Sequence, residues 1–136
     1  MAGYSGTPLL KKLGIKEGYH CFVLNEPEAY WEWLSPLPEG VKVKKKVARE
    51  SLDFVHLFVK EMNVFEKEFL QCKEALKQQG MMWISWPKKS SKVATDLDEN
   101  KIRDFGLANG LVDVKVCAVD DVWSGLKFVI RLKDRK

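Results

Sequence analysis

Cysteine and histidine are scarce in this 136-residue sequence, which has three cysteines and two histidines. Cys21, Cys72 and Cys117 lie far apart and form no CxxC pair. Their odd number, and their positions inside apolar segments, predict reduced, buried thiols and therefore a cytoplasmic location. Only His20 and His56 could join them, so the sequence does not predict a metal site, which needs three or four converging ligands.

The N-terminus has no long apolar run, so the sequence predicts neither a signal peptide nor a membrane span. The net charge of +4 and the pI of about 8.9 are compatible with anionic partners. They fall short of the clustered basicity that marks a nucleic-acid-binding domain. The hydrophobic fraction of 46% and the charged fraction of 31% are those of a folded soluble protein. At this length we expect a single α/β domain over residues 1–136.

Helical and strand patterns alternate along the chain. The predicted helices are an N-terminal one capped by Thr7 and ending at Gly14, then Glu26–Leu34, then one from Asn63 to Gly80, and one from Thr95 to Gly110. The predicted strands are Tyr19–Leu24, Val41–Val47, Asp53–Val59, Met81–Trp86, Val112–Val119 and Leu126–Leu132. This order predicts a three-layer α/β fold with a mostly parallel sheet of about six strands, closed by a C-terminal antiparallel hairpin.

The direction of the Val41–Val47 strand is left open by its short connection to the next strand. Only about five residues separate Val47 from Asp53, whereas a parallel crossover usually needs a dozen or more. Either this strand is short and the chain returns in an extended form, or the strand is antiparallel. We favour the first alternative.

A basic loop follows the apolar strand Met81–Trp86 and contains Lys88, Lys89, Ser90, Ser91 and Lys92. If that strand is parallel and central, the loop opens into the crevice where open α/β sheets bind ligands. Lysines and hydroxyls there could bind an anion, assisted by N–H groups of a helix that starts at Thr95. The alternative is a solvated loop without a ligand.

The hairpin residues Asp120, Asp121, Trp123 and Ser124 are a second part of the predicted ligand site. Two carboxylates could bind a cation, orient a ligand hydroxyl or pair with the lysines, and Trp123 could stack on a ring such as adenine. The alternative is ordinary turn chemistry, which aspartate favours. We find no nucleophile with a partner that would identify catalytic residues, and His56 has the pattern of a core histidine.

The order of elements resembles class I methyltransferases that use S-adenosylmethionine (SAM). The resemblance implies a Rossmann-like fold, with SAM bound at a glycine-rich turn after the first strand and at an acidic residue ending the second. In this chain the first turn, Asn25–Tyr30, contains no glycine, and the second strand ends in lysines. Because close backbone approach to a cofactor favours glycine, we expect SAM to be disfavoured as the cofactor.

The chain also resembles a family of small bacterial proteins of unknown function. Segments spread over nearly the whole length carry this resemblance: 2–9, 36–40, 83–89, 94–97 and 111–120. The resemblance implies no particular activity.

Three functions are compatible with these patterns. The main expectation is a non-catalytic or regulatory module that binds an anionic small molecule or a protein partner at the carboxyl edge of the sheet. The alternative is a divergent methyltransferase-like transferase, and the second alternative is a nucleic-acid-associated protein. The sequence does not identify the ligand or the oligomeric state.

Overall fold

The structure, a computed structural model, describes residues 8–136. In this range the chain forms one six-stranded sheet and four α-helices. The strands are β1 (His20–Leu24), β2 (Lys42–Val43), β3 (Leu52–Phe58), β4 (Leu76–Pro87), β5 (Leu111–Ala118) and β6 (Trp123–Ile130). The helices are α1 (Leu9–Leu13), α2 (Tyr30–Trp33), α3 (Met62–Ala75) and α4 (Glu99–Ala108). Thr7, the predicted cap of the first helix, lies outside the described residues.

The sheet has the strand order β2-β1-β3-β4-β6-β5. Strands β2, β1, β3 and β4 are parallel to one another, and the hairpin formed by β5 and β6 adds antiparallel pairings beside β4. The prediction of a six-stranded α/β sheet with a C-terminal hairpin is therefore confirmed. Strand β2 has only two residues and is parallel to β1, so the favoured alternative for this segment is also confirmed.

Helices cover both faces of the sheet, which explains why every residue of β3 except Asp53 is buried. Side chains of successive strand residues point to opposite faces. Val55 and Leu57 pack in the core beneath α3 and α4, which we call the α3/α4 face. Phe54 and Phe58 pack in the second core, beneath α1 and α2, which we call the α1/α2 face.

Several predicted element boundaries are wrong, including the cap of α3, which is Glu61 and not Asn63. The helix expected at Glu26–Leu34 is the single turn Tyr30–Trp33, because the chain after β1 first forms a turn in which the Tyr30 N–H donates to the Pro27 carbonyl. Helix α3 ends at Ala75, so Gly80 lies inside β4 and does not end a helix. A Cβ at Gly80 would lie 2.9 Å from the Leu52 carbonyl oxygen, so glycine is needed for close contact between the backbones.

A buried hydrogen-bonded chain joins α2, β3 and β4. His56 is fully buried, with its Nδ1 2.9 Å from the Tyr30 hydroxyl and its Nε2 2.7 Å from the Ser85 hydroxyl. The ring also stacks on Phe58 at a centroid distance of 4.2 Å. Burial lowers the pKa of His56 to about 3, so the imidazole is neutral at physiological pH. This geometry confirms His56 as a core histidine.

The depressed pKa of His56 predicts a specific loss of stability in acid. An unfolded histidine has a pKa near 6.5 and the folded one a pKa of about 3, so between these pH values protons bind preferentially to the unfolded chain. The free energy of unfolding should therefore fall by about 1.4 kcal/mol per pH unit from this residue alone as the pH drops through that window. Urea denaturation of wild type and His56→Gln should show a flatter pH dependence for the variant between pH 6 and pH 4. Identical slopes would contradict the assignment.

Candidate functional site

The crossover connections diverge between β1 and β3. The chain leaving β1 continues into α2 on the α1/α2 face, and the chain leaving β3 continues into α3 on the opposite face. Because β1 and β3 are neighbours, a crevice opens between their carboxyl ends. Ligands of open α/β sheets bind at such a topological switch point. The turns that border it are residues 25–29 and residues 60–61.

The turn after β1 reverses direction without glycine because Asn25 adopts a left-handed backbone conformation. Its φ is +57°, a region that most side chains avoid and that asparagine tolerates better than most. Beside it, a carboxylate oxygen of Glu26 accepts a hydrogen bond of 3.0 Å from the indole N–H of Trp31. Glu28 is exposed. The sequence prediction considered only glycine at this turn and did not assign the turn to Asn25, although asparagine directly after a strand is a turn signal.

Hydrogen bonds clamp the loop after β4 onto the turn after β3. The Thr95 hydroxyl donates to the Lys60 carbonyl at 2.6 Å, and the Asp96 N–H donates to the same carbonyl at 3.2 Å. The Asp96 carboxylate accepts from the Met62 N–H at 2.7 Å, which places negative charge at the N-terminus of α3. The two loops therefore form one surface at the carboxyl edge.

Thr95 does not start α4, contrary to the sequence prediction. Its hydroxyl also accepts a hydrogen bond from the Leu97 N–H at 3.1 Å, so it is used within this clamp. Asp98 caps α4 instead, since its carboxylate accepts from the Lys101 N–H at 2.8 Å. The free N–H groups that we expected beside Thr95 are instead at the start of α4, whose N-cap lies three residues after Thr95.

The basic loop itself is a tight local structure. Residues Lys89–Ser91 form a 3₁₀ turn, and Lys92 follows with a φ of +62°. The Ser91 hydroxyl donates to the Lys88 carbonyl at 2.6 Å and accepts from the Val93 N–H at 3.2 Å. Lys89, Ser90 and Lys92 are exposed and Lys88 is half-buried. Ser91 therefore shapes the loop, and the lysines remain available at its surface.

A groove of about 580 Å³ lies between the end of β4 and the start of α4. Four of the predicted site residues line it: Lys88, Lys89, Thr95 and Ser124. Its carboxylates are already engaged, since Asp96 lies at the N-terminus of α3, Asp98 caps α4 and Glu99 pairs with Arg103. In residues 8–136, no ion pair involves Lys88 or Lys89. Lys88 and Lys89 therefore lie on the groove wall without an ion-pair partner among these residues.

The hairpin loop is adjacent to the basic loop, because the Lys88 N–H donates to the Val122 carbonyl at 2.7 Å. The Asp120 carboxylate accepts from the N–H groups of Val122 at 2.9 Å and Trp123 at 2.8 Å, which is ordinary turn chemistry. The Trp123 ring packs against Phe58, with centroids 5.1 Å apart, on the α1/α2 face.

The ten predicted site residues thus share one edge of the sheet but not one face. Ser124 lines the groove, whereas Trp123, its neighbour on the same strand, lies on the opposite face. Asp121 is exposed on the hairpin loop. Among residues 8–136 there is no group of three or more His, Cys, Asp or Glu side chains arranged to hold a metal ion. No helix in the same range is long and apolar enough to cross a membrane.

The Thr95 clamp predicts a measurable contribution to stability. Thr95→Val keeps the shape of the side chain but removes the hydroxyl that bonds the Lys60 carbonyl and the Leu97 N–H, so we expect a loss of about 1–2 kcal/mol in urea denaturation. Ser90→Ala, in the same loop, removes an exposed hydroxyl and should change the free energy of unfolding by less than about 0.5 kcal/mol. Equal effects of the two substitutions would show that the clamp is not a stabilising contact.

In sequence, no protein-family model and no curated protein matches the chain. Solved structures do match. A SAM-dependent methyltransferase from Aquifex aeolicus is 15% identical, with a TM-score of 0.61, over 90% of this chain and 88% of that one. DhpI in its complex with SAH is 12% identical, with a TM-score of 0.64, over 92% and 83%. Magnesium protoporphyrin IX methyltransferase (ChlM) from Synechocystis PCC 6803 with bound SAH is 9% identical, with a TM-score of 0.58, over 90% and 78%.

These likenesses correct two expectations. The main expectation of a non-catalytic module is wrong, because the matched structures are methyltransferases, which favours the alternative of a divergent methyltransferase-like transferase. The expectation that SAM is disfavoured is also wrong. Matched structures are SAM-dependent or contain bound SAH, and the missing glycine is not decisive because Asn25 adopts a positive φ. The chain therefore has the fold of SAM-dependent methyltransferases.

Proposed function

We propose that the protein is a divergent methyltransferase-like transferase that binds SAM at the switch point between β1 and β3. The observation that carries the proposal is the fold, which matches SAM-dependent methyltransferases over about nine tenths of the chain. The open turn at Asn25, at the place where ligands of such sheets bind, supports the same site.

The residues bordering this crevice suit the chemistry of SAM, which when bound supplies a methyl group activated by a positively charged sulfonium. Asn25 turns the chain after β1 with its positive φ, and Glu26 and Glu28 lie on the same turn. Negative charge there favours the sulfonium and ammonium groups of the cofactor. Beneath the turn, Phe58 and Val59 are buried and exclude water from the floor of the crevice.

The second strand differs from the family that the sequence resembles. Lys44, Lys45 and Lys46 follow β2, where those methyltransferases have an acidic residue. The carboxylates available to accept hydrogen bonds from ribose hydroxyls are therefore those of Glu26 and Glu28 on the neighbouring turn. We assign them this role in the proposed complex.

Titration calorimetry with SAM and SAH tests the cofactor site. Wild type should bind both with a Kd in the range of about 1 μM to 1 mM that is usual for substrates. Asn25→Gly should retain binding, because glycine adopts positive φ readily, whereas Asn25→Val should weaken it at least about tenfold, because a β-branched residue does not.

A Tm of Asn25→Val within a few degrees of wild type would show that the loss is local. Glu28→Gln, which leaves the backbone turn intact, should also reduce the affinity for SAM. The absence of heat with both ligands at millimolar concentration would exclude the proposed cofactor site.

For the methyl acceptor, we propose an anionic small molecule bound at the basic loop. Lys88 and Lys89 line the groove and form no ion pair among residues 8–136, so an anionic group could pair with them. Ser90, Lys92 and the hydroxyl of Ser124 lie on or beside this groove and could add hydrogen bonds, whereas the Thr95 hydroxyl is used in the clamp. Ser91 and Asp120 shape the loop and the hairpin, on which Asp121 also lies, and Trp123 lies on the opposite face of the sheet.

A charge-removal experiment tests the acceptor site. With methyl-labelled SAM and a mixture of small carboxylic and phosphorylated molecules, wild type should transfer label to an anionic acceptor. Lys88→Ala/Lys89→Ala should reduce kcat/KM for that acceptor at least about tenfold, since each lost charge-assisted hydrogen bond is worth about 1.5–3 kcal/mol. The affinity for SAM should not change.

The control is Lys67→Ala/Lys133→Ala, which removes the same charge from exposed positions elsewhere. Equal transfer by the two double variants, or a preference of wild type for neutral acceptors, would contradict the proposed acceptor site.

A further inference from the structure

Two lysines lie directly opposite each other on neighbouring strands of the C-terminal hairpin. Lys115 of β5 pairs in register with Lys127 of β6. Lys127 also pairs in register with Trp83 of β4. The Trp83 side chain is in the core of the α1/α2 face, so both lysines lie on that face. Like charges directly opposite each other destabilise a sheet, which makes this pairing costly unless something neutralises it.

A register shift in β5 creates this pair. Asp113 is opposite Phe128, but the register shifts by one residue before Lys115. Without the shift, Lys115 would lie opposite Leu126, on the α3/α4 face that contains Leu126 and Phe128. A bulge of this kind redirects side chains and is over-represented beside functional sites. Here it turns Lys115 toward Lys127.

The end of α1 adds two more lysines. The Lys115 ammonium donates to the Lys12 carbonyl at 3.4 Å. The Lys127 ammonium lies 3.9 Å from the position that a Cβ on Gly14 would occupy, which places it beside the end of α1. Lys127 is partly buried, and burial together with the charges of Lys115 and Lys16 lowers its pKa.

Lys12, Lys16, Lys115 and Lys127 form what we call the lysine cluster, and among residues 8–136 it makes no ion pair with a carboxylate. The ion pairs among residues 8–136 join Lys77 to Asp53, and Arg103 to Glu99 and Asp113, so none includes the cluster. Carbonyl groups at the end of α1 could offset the positive charge only weakly. The Lys12 carbonyl already accepts a hydrogen bond from Lys115, and the Leu13 carbonyl accepts one from the indole N–H of Trp83. Helix α1 also has only five residues, so its dipole is short.

We propose that the lysine cluster binds a compact oxyanion, namely the phosphate group of a small molecule. Lys115 and Lys127 are paired across β5 and β6, the Lys12 backbone contacts Lys115, and the charge of Lys16 acts on Lys127, so positive charge is concentrated in one place. An extended polyanion is instead bound by lysines arranged in a row. The site lies on the face of the sheet over β5 and β6, away from the carboxyl edge. It does not depend on the proposed transferase function.

Pyrophosphate and inorganic phosphate are the probes, and titration calorimetry is the measurement. Wild type should bind pyrophosphate, and Lys127→Met should bind it at least about tenfold more weakly, because a charge-assisted contact is lost while the aliphatic stem remains. Lys67→Met, which removes an equal charge from exposed α3, should bind as wild type does. Without an anion, Lys127→Met should melt at the same temperature as wild type or higher, since it relieves the repulsion with Lys115.

Several results would overturn the proposal. Equal binding of pyrophosphate to wild type and Lys127→Met would be one such result, and another would be binding to neither at about 10 mM pyrophosphate, ten times the usual upper KM. Loss of pyrophosphate binding in Lys88→Ala/Lys89→Ala, with retention in Lys127→Met, would assign the anion to the groove beside α4. If a DNA oligonucleotide binds in a Lys127-dependent way that pyrophosphate does not displace, the ligand is a polyanion and the compact-oxyanion proposal is wrong.

Discussion

The burial of β3 on both faces is the constraint on which the rest of the structure depends. This strand pairs with β1 on one side and β4 on the other, and its alternating side chains supply both cores. Because both faces must be covered, helices lie on both, and the crossovers that build them diverge beside β3. The crevice at the carboxyl edge follows from that divergence. Even the polar His56 is tolerated in this strand only because Tyr30 and Ser85 satisfy both ring nitrogens.

The distribution of charge connects the two binding proposals. Carboxylates near the sheet are engaged within the fold: Asp96 and Asp98 at helix N-termini, and Glu99 and Asp113 with Arg103. The lysines of the basic loop and of the lysine cluster have no such partner among residues 8–136. The net charge of +4 is modest, but lysines are concentrated on two different surfaces, the basic loop and the lysine cluster. The two proposed anion sites are therefore independent of each other.

Hydrophobic periodicity predicted the strands and the fold class, because burial on one or both faces imposes a pattern that local sequence retains. It failed at positions whose role comes from distant contacts. Gly80 looked like a helix stop, yet it serves the close approach of Leu52 across the sheet. The turn after β1 contains no glycine, yet Asn25 adopts the positive φ that the turn requires. Thr95 matched a capping pattern, but its hydroxyl bonds a carbonyl 35 residues away.

By itself the sequence determined which segments are buried, which loops carry the lysines, and that the chain resembles methyltransferases. Only the tertiary structure decided which of those lysines lack a partner, and that Trp123 and Ser124 lie on opposite faces. It also decided that Lys115 is opposite Lys127, since a single shift in register reverses the face of every side chain beyond it. Such a shift depends on pairing between strands, and pairing cannot be read from either strand alone.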